Sequence, residues 1–276
     1  MGSYEKRGYL NSEFRLFHLT DTRLEKLDFH YHDFDKIMIF IKGKVTYMIE
    51  GKSYDLKPYD IVLVNHNNIH RPVVDSSVPY ERIIVYISPG FISAYQTDDY
   101  DLNFCFEQAR KEKSNVLRIH SEAKQVLLRI TKDLENSFLS PGYAGSLYQQ
   151  VLFLEFMIHL NRAALDHHLE YLNTDASNQK IILLMQYINS HLTEDLNIDS
   201  LAERFFISRY YMMRLFKSET GYTIGNYINY KRLLLAKEAI AQGTPITQAC
   251  FDCGFHDYST FSRAYKKLFG KSPRQS

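Results

Sequence analysis

The chain has 276 residues, 45% of them apolar, with 33 Lys and Arg against 32 Asp and Glu. That is enough for one or two domains with cores of their own, and the net charge of +1 by itself argues neither for nor against nucleic acid. Three cysteines, Cys105, Cys250 and Cys253, exclude a disulfide framework, and no apolar run approaches the ~20 residues of a membrane span. With no charged-then-apolar N-terminal signal, a cytoplasmic protein with no membrane partner is expected.

From Phe29 to Ile87 apolar residues recur with a period of two between turns, which predicts short strands. Lys36-Ile37-Met38-Ile39-Phe40-Ile41 is an almost continuous apolar run that stops at Lys42-Gly43. Val45, Tyr47 and Ile49 then alternate with Thr46, Met48 and Glu50 up to a turn at Glu50-Gly51. Tyr54 and Leu56 lead to the turn Pro58-Tyr59-Asp60, Ile61 to Val64 reads as a buried strand, and Arg82 to Ile87 as another. Strands at this spacing suggest a small barrel or sandwich.

The series His30-x-His32-x-x-Asp35, Gly43, Gly51, Pro58 and His70 resembles a cupin barrel. In metal-binding cupins the matching positions, here His30, His32, Asp35 and His70, hold the ion, a set that suits iron, manganese or nickel. This chain departs from the pattern, with Asp for the usual Glu at 35 and Asp60 at a glycine position. No metal or other cofactor is therefore expected, and the histidines are read as packing or ligand contacts. His32, Tyr47 and His70 are the candidate effector-binding residues.

Between about Asp98 and His168 the period becomes helical. Ala123, Val126, Leu127, Ile130 and Leu134 form one stripe, and Leu147, Val151, Leu154 and Ile158 another, with Ser140-Pro141-Gly142 between them. The small polar stretch from Leu172 to Asn178 reads as a linker. From Asn178 onward there are 13 basic against 8 acidic residues, whereas the preceding part has 20 against 24. The positive charge thus collects where phosphate binding would need it.

Helices are predicted from Lys180 to Leu192 and from Asp199 to Phe205, and Ser208 caps the next. Gly221 and Thr223 lead into a long helix from Ile224 to Ala241, roughly 27 Å at ~1.5 Å per residue. Thr244 reads as an N-cap with Pro245 at the first helical position. Cys250-x-x-Cys253 has no second pair for zinc, so it is expected in the core. Gly254 opens a turn, Asp257 caps the last helix, Gly270 ends it, and Pro273 prevents its return.

This pattern occurs twice. Ser208 to Lys217 aligns with Asp257 to Lys266, placing Met212 on Phe261, Arg214 on Arg263, Phe216 on Tyr265 and Lys217 on Lys266. A repeat that matches cap, core and cation points to two helix-turn-helix units. If Met212, Phe216, Phe261 and Tyr265 face inward, the outward sets are Arg209, Tyr210, Met213, Arg214 and Lys217 in the first, and Tyr258, Ser259, Ser262, Arg263 and Lys266 in the second. Thr260 is a phosphate candidate beside them. Arg214 and Arg263 suit bidentate contacts to guanine.

These residues, Gly254-Phe255-x-Asp257-x-Ser259-x-Phe261-x-Arg263-x-Tyr265-Lys266 followed by Gly270-x-Ser272-Pro273, resemble the signature of the AraC family of bacterial transcription regulators. Tyr265 replaces the usual Phe, and Phe206 stands where the first turn usually has Gly, so that turn is expected to differ in detail. The resemblance implies a cupin-like effector-binding barrel (1–95), a helical segment serving dimerisation or packing (96–170), a linker (171–177) and an all-α tandem helix-turn-helix domain (178–276). It implies no enzyme, but a regulator, an activator by family habit. Its partners would be promoter DNA, a small molecule such as a sugar or related metabolite, RNA polymerase and a second copy of itself. Two alternatives stay open on the residues alone: a metal-dependent cupin enzyme fused to a DNA-binding domain, and a constitutive DNA-binding protein whose barrel only dimerises.

Overall fold

The computed structural model describes residues 5–6, 10, 12–22, 27–172 and 179–275. The chain divides into two compact units, 1–177 and 178–276. Apart from Tyr171, which ends a strand, and Leu172, the expected linker (171–177) lies outside the described residues.

The first unit opens with strands β1 (Glu5–Lys6), β2 (Phe14–Asp21), β3 (His30–Tyr31), β4 (Asp35–Lys42), β5 (Val45–Ile49), β6 (Lys52–Asp55), β7 (Ile61–Val64), β8 (His70–Val74) and β9 (Tyr80–Ile87). Then come α1 (Pro89–Ser93), α2 (Phe104–Lys111), β10 (Val116–Ile119), α3 (Ser121–Leu139), α4 (Gly145–Leu165) and β11 (Leu169–Tyr171). The strands form two sheets, ordered β1-β3-β8-β5-β6 and β11-β10-β7-β4-β9-β2. Among the described residues the two ladders stay separate, so the barrel expected from the sequence is an open two-sheet sandwich.

The unbroken apolar run of β4 follows from its central place in the larger sheet, between β7 and β9. Ile37 and Ile39, with Leu63 and Val85, face the helices. Met38 and Phe40, with Val62 and Ile84, face Val45, Tyr47 and Ile49 of the other sheet. The segment 96–170 shares this core rather than forming a body of its own. β10 pairs with β7, β11 pairs with β10, and Leu127, Ile130 and Leu134 of α3 are buried against the sheet. Helix α4 has two apolar faces. Leu152, Phe153, Phe156, Met157 and Leu160 are buried, whereas Leu147, Val151, Ile158 and Leu165 are exposed on the opposite side.

The second unit is all helical: α5 (Gln179–Ser190), α6 (Ile198–Arg204), α7 (Arg209–Thr220), α8 (Ile224–Ala241), α9 (Ile246–Asp252) and α10 (Tyr258–Phe269), with a closing 3-10 turn at Pro273–Gln275. Local chemistry sets the ends. Thr223 caps α8 by accepting from the Asn226 amide, and Gly221 and Gly270 end α7 and α10 at φ 75° and 76°. Helix α9 departs from expectation by one residue. Pro245, not Thr244, is its N-cap, since the Pro245 carbonyl accepts the first helical bond, from the Ala249 amide at 2.8 Å.

Candidate functional site

Two helix-turn-helix pairs, α6–α7 and α9–α10, stand on either side of the long helix α8 in the sequence of the second unit. The first helices have 7 residues each and the second helices 12 each. Ser208 Oγ accepts from the Tyr211 amide at 3.4 Å, and Asp257 accepts from the Thr260 amide at 2.5 Å, so equivalent caps start both outer helices. Met212 and Phe216 are buried in α7, as are Phe261 and Tyr265 in α10. Each buried pair fixes which way its helix turns its polar side.

Arg209, Tyr210, Met213, Arg214 and Lys217 are exposed on α7, and Ser259, Thr260, Arg263 and Lys266 on α10. Ser262 is half-buried. Tyr258 is half-buried as well, and its ring lies 6.0 Å from that of Phe261. Two arginines are pre-engaged. Arg209 pairs with Asp199 at 3.1 Å, an exposed contact worth under ~1 kcal/mol. Arg263 donates to the Ser259 carbonyl at 3.3 Å and to the Thr260 hydroxyl at 3.5 Å. Arg214 lies 5.9 Å from the Tyr210 ring. All three are free to exchange these weak partners for phosphate or base edges.

The two turns share one closing pattern and differ in length. Phe206 donates to Glu203 and Ile207 to Ala202, as Gly254 does to Phe251 and Phe255 to Cys250. Phe206 takes φ 52° and Gly254 φ 87°. The large side chain of Phe206 therefore does not change the turn as expected. It adopts the left-handed conformation and is held out in solvent, 91% exposed. Between turn residue and cap stands Ile207 alone in the first unit, but Phe255 and His256 in the second. Equivalent first helices are therefore 48 residues apart and second helices 49.

Gly254 has no such freedom. A Cβ there would sit 2.7 Å from the Leu192 carbonyl and 2.8 Å from Arg232 Nε. Arg232, buried in α8, donates to the carbonyls of Leu192 at 2.7 Å and Glu194 at 2.6 Å, tying the long helix to the segment between α5 and α6. Burial and Asp252 push the Cys253 thiol up to about 11, and both Cys250 and Cys253 are buried core groups.

The first unit holds a polar cluster between its sheets. His30 and His70 face each other across β3 and β8, and with His32 their donor atoms lie within 4.8 Å of one another. His30 Nδ1 is bonded to the Asp28 carbonyl and His70 Nδ1 to the Asn68 carbonyl, both at 2.9 Å, which leaves Nε2 of each as the acceptor. Burial, then Lys36, His30 and His32, hold His70 well below the usual imidazole range, so it is neutral. A three-histidine set has the composition of a transition-metal site. Asp35, the carboxylate that would extend it, instead accepts from the His66 amide at 2.7 Å and its Nδ1 at 2.8 Å.

Tyr47 stacks on His70 with ring centroids 6.0 Å apart. Its hydroxyl accepts from Lys36 Nζ at 2.8 Å. His32 stacks on Phe34 at 4.6 Å. The structure thus brings His32, Tyr47 and His70 together and adds a residue the sequence reading passed over. Lys36 is in phase with Met38 and Phe40, so period two already placed it on the inward row. Arg82, on the same face of β9, pairs with Asp21 at 2.5 Å. A separate open groove of about 550 Å³ runs between α2 and α4, lined by Tyr95, Tyr100, Phe104, Leu154, Ile158 and Arg162 among others.

Comparison with known proteins gives two family matches. Residues 16–152 match an AraC-like ligand binding domain, and residues 201–276 a helix-turn-helix domain. The probable transcriptional regulator LumQ of Photobacterium leiognathi is 27% identical over 91% of this chain and 94% of its own. The transcriptional activator RhaS of Escherichia coli SMS-3-5 is 23% identical over 92% and 89%. Among solved structures, the C-terminal domain of AraT, a response regulator from Geobacillus stearothermophilus, is 30% identical over 36% of this chain and 83% of its own, at a TM-score of 0.34. No helix among the described residues is long and apolar enough to cross a membrane.

Proposed function

The chain belongs to the AraC family of transcription regulators, with a ligand-binding and a DNA-binding domain and no enzymatic role, and from that premise we propose an effector-responsive activator. Cytoplasmic and dimeric, it binds promoter DNA through both helix-turn-helix units and recruits RNA polymerase. Activation rests on the likeness to RhaS, which is named as an activator. The observation that carries DNA binding is the doubled cap-and-core arrangement, which holds Arg214 and Arg263 at equivalent exposed positions of α7 and α10.

In this reading Arg214 and Arg263 take guanine O6 and N7, Tyr210 and Met213 meet thymine methyls, and Lys217, Lys266 and Thr260 meet phosphates. Arg209, Tyr258, Ser259 and Ser262 complete the interface. The effector, a small metabolite, occupies the space between the sheets and touches His32, Tyr47 and His70. It acts by binding one DNA-competent arrangement better than the other, since without differential affinity no population would shift. The histidines act as ligand contacts and not as a metal site, because the nearby carboxylate Asp35 is committed to His66. Stoichiometric iron, manganese, nickel or zinc in the purified protein would overturn that assignment.

The deciding experiment is binding to the intergenic DNA upstream of its own gene, titrated with salt and unrelated competitor. Selective binding that weakens steeply with salt is expected. Equal affinity for competitor DNA would reject the regulator reading.

A further inference from the structure

We propose that the effector carries a carboxylate, received by the ammonium of Lys36 between the two sheets. The proposal rests on reading this unit as the sensor and narrows the class of molecule it senses.

The argument starts from charge. Lys36 is 5% exposed and lies on the inward row of β4, opposite Tyr86 on one neighbouring strand and Val64 on the other. An ammonium has three donors, and the Tyr47 hydroxyl occupies one of them. Two acids of the same sheet, Asp21 and Asp35, are committed elsewhere. Asp21 pairs with Arg82, and Asp35 is held by His66. Among the described residues no carboxylate pairs with Lys36, and the charge it feels most is the like charge of Arg82.

Burial and Arg82 together pull the Lys36 ammonium down to about 7, which is how a buried cation without a counter-charge behaves. A buried charge is tolerated when something pairs with it. A bound carboxylate would complete the pair and hold the proton on Lys36. The missing charge is one: Arg82 already has its partner in Asp21, so a monoanion balances Lys36 and a doubly charged phosphate exceeds it.

The second group of the ligand follows from His70. Its Nε2 is buried and has no hydrogen-bond partner, and the bond from Nδ1 to the Asn68 carbonyl makes Nε2 an acceptor. An acceptor there calls for a hydroxyl donor on the ligand. Carboxylate and hydroxyl together describe a hydroxy acid or sugar acid. A neutral sugar could satisfy His70 but would leave Lys36 unbalanced.

The test uses the full-length protein and two kinds of probe. Thermal unfolding is followed in sodium formate, acetate or glycolate against sodium chloride at equal ionic strength. D-galacturonate, D-gluconate, D-galactose and a sugar phosphate are then compared. The carboxylates are expected to raise Tm by a few degrees in the wild type, glycolate more than acetate, and to have no effect on Lys36→Met. Lys36→Met should itself unfold at a higher temperature in chloride, which shows that it folds and that the lone cation was a burden.

Equal Tm in all salts, or a carboxylate effect that survives Lys36→Met, overturns the proposal. Stabilisation by D-galactose alone, lost in Tyr47→Phe, keeps the sensor and removes the acid. Stabilisation by the phosphate beyond the carboxylates rejects the monoanion. Carboxylate binding that leaves promoter-DNA affinity unchanged keeps the site but rejects its role as the sensor.

Discussion

At the scale of single residues the interface separates side chains that hold the fold from side chains that read DNA. Phe216 is buried and Arg214, two positions away, is exposed. Phe216→Ala should lower stability by about 3–5 kcal/mol and abolish binding through loss of structure. Arg214→Ala and Arg263→Ala should leave Tm nearly unchanged while weakening binding to the cognate site by roughly 1–3 kcal/mol relative to unrelated DNA. Anisotropy titrations on both DNAs decide it; equal loss on both would assign the arginine to phosphate. His18 offers a second residue-level test. Burial lowers its pKa, but Glu135 at 2.5 Å and Glu81 at 2.9 Å outweigh that and raise it. A raised histidine stabilises fully below its ordinary 6.5 and loses that contribution as pH rises through the folded-state value. Denaturation midpoints should therefore fall across this window in the wild type and stay flatter in His18→Gln. The outward set on α7 was legible from the repeat, because each cap fixes the phase of its helix. The place of Tyr258 was not: it leans on Phe261, a contact that spacing alone does not specify.

At the scale of elements, the two turns make opposite predictions from one backbone conformation. Phe206→Gly relieves a left-handed non-glycine residue that makes little use of its side chain, and should stabilise the chain by about 1 kcal/mol after the entropy cost of glycine. Gly254→Ala places a Cβ against the Leu192 carbonyl and the Arg232 side chain, and should destabilise by more than about 2 kcal/mol. Thermal unfolding of the two variants checks the signs. The bounds of α8 were fully legible, since Thr223 caps it and the apolar positions continue to Ala241. The edge strand β2 was not, because only Leu16 of its eight residues is buried and the alternation is correspondingly faint. Strands β10 and β11 were missed for a different reason. They are four and three residues long and pair with each other across α3 and α4, so neither carries a local period to detect.

At the scale of the whole molecule, α4 is the element with an unexplained face. Leu147, Val151, Ile158 and Leu165 are exposed along one side, and Ile158 and Leu165 also line the 550 Å³ groove beside α2. Exposed apolar stripes of this kind mark association surfaces. A homodimer through this face should be split by Val151→Glu with Ile158→Glu, giving a monomer by sedimentation with an unchanged helical spectrum. A dimer that persists would place the interface elsewhere. The division of charge, basic after Asn178 and acidic before it, was visible in composition alone. The counter-charge balance around Lys36 was not, because it depends on which acids β9 and the loop before β8 draw away.

The extra residue at His256 makes the tandem readers unequal. Relative to its own first helix, α10 begins one position later than α7 does, because the second turn is one residue longer, while the buried pairs keep the outward sides of both helices in the same phase. Exchanging the outward side chains of α7 and α10 would therefore not simply exchange the two halves of the recognised sequence. A single protomer reads its site with a polarity, and inverting that site in a promoter should alter the output even where every base contact is retained.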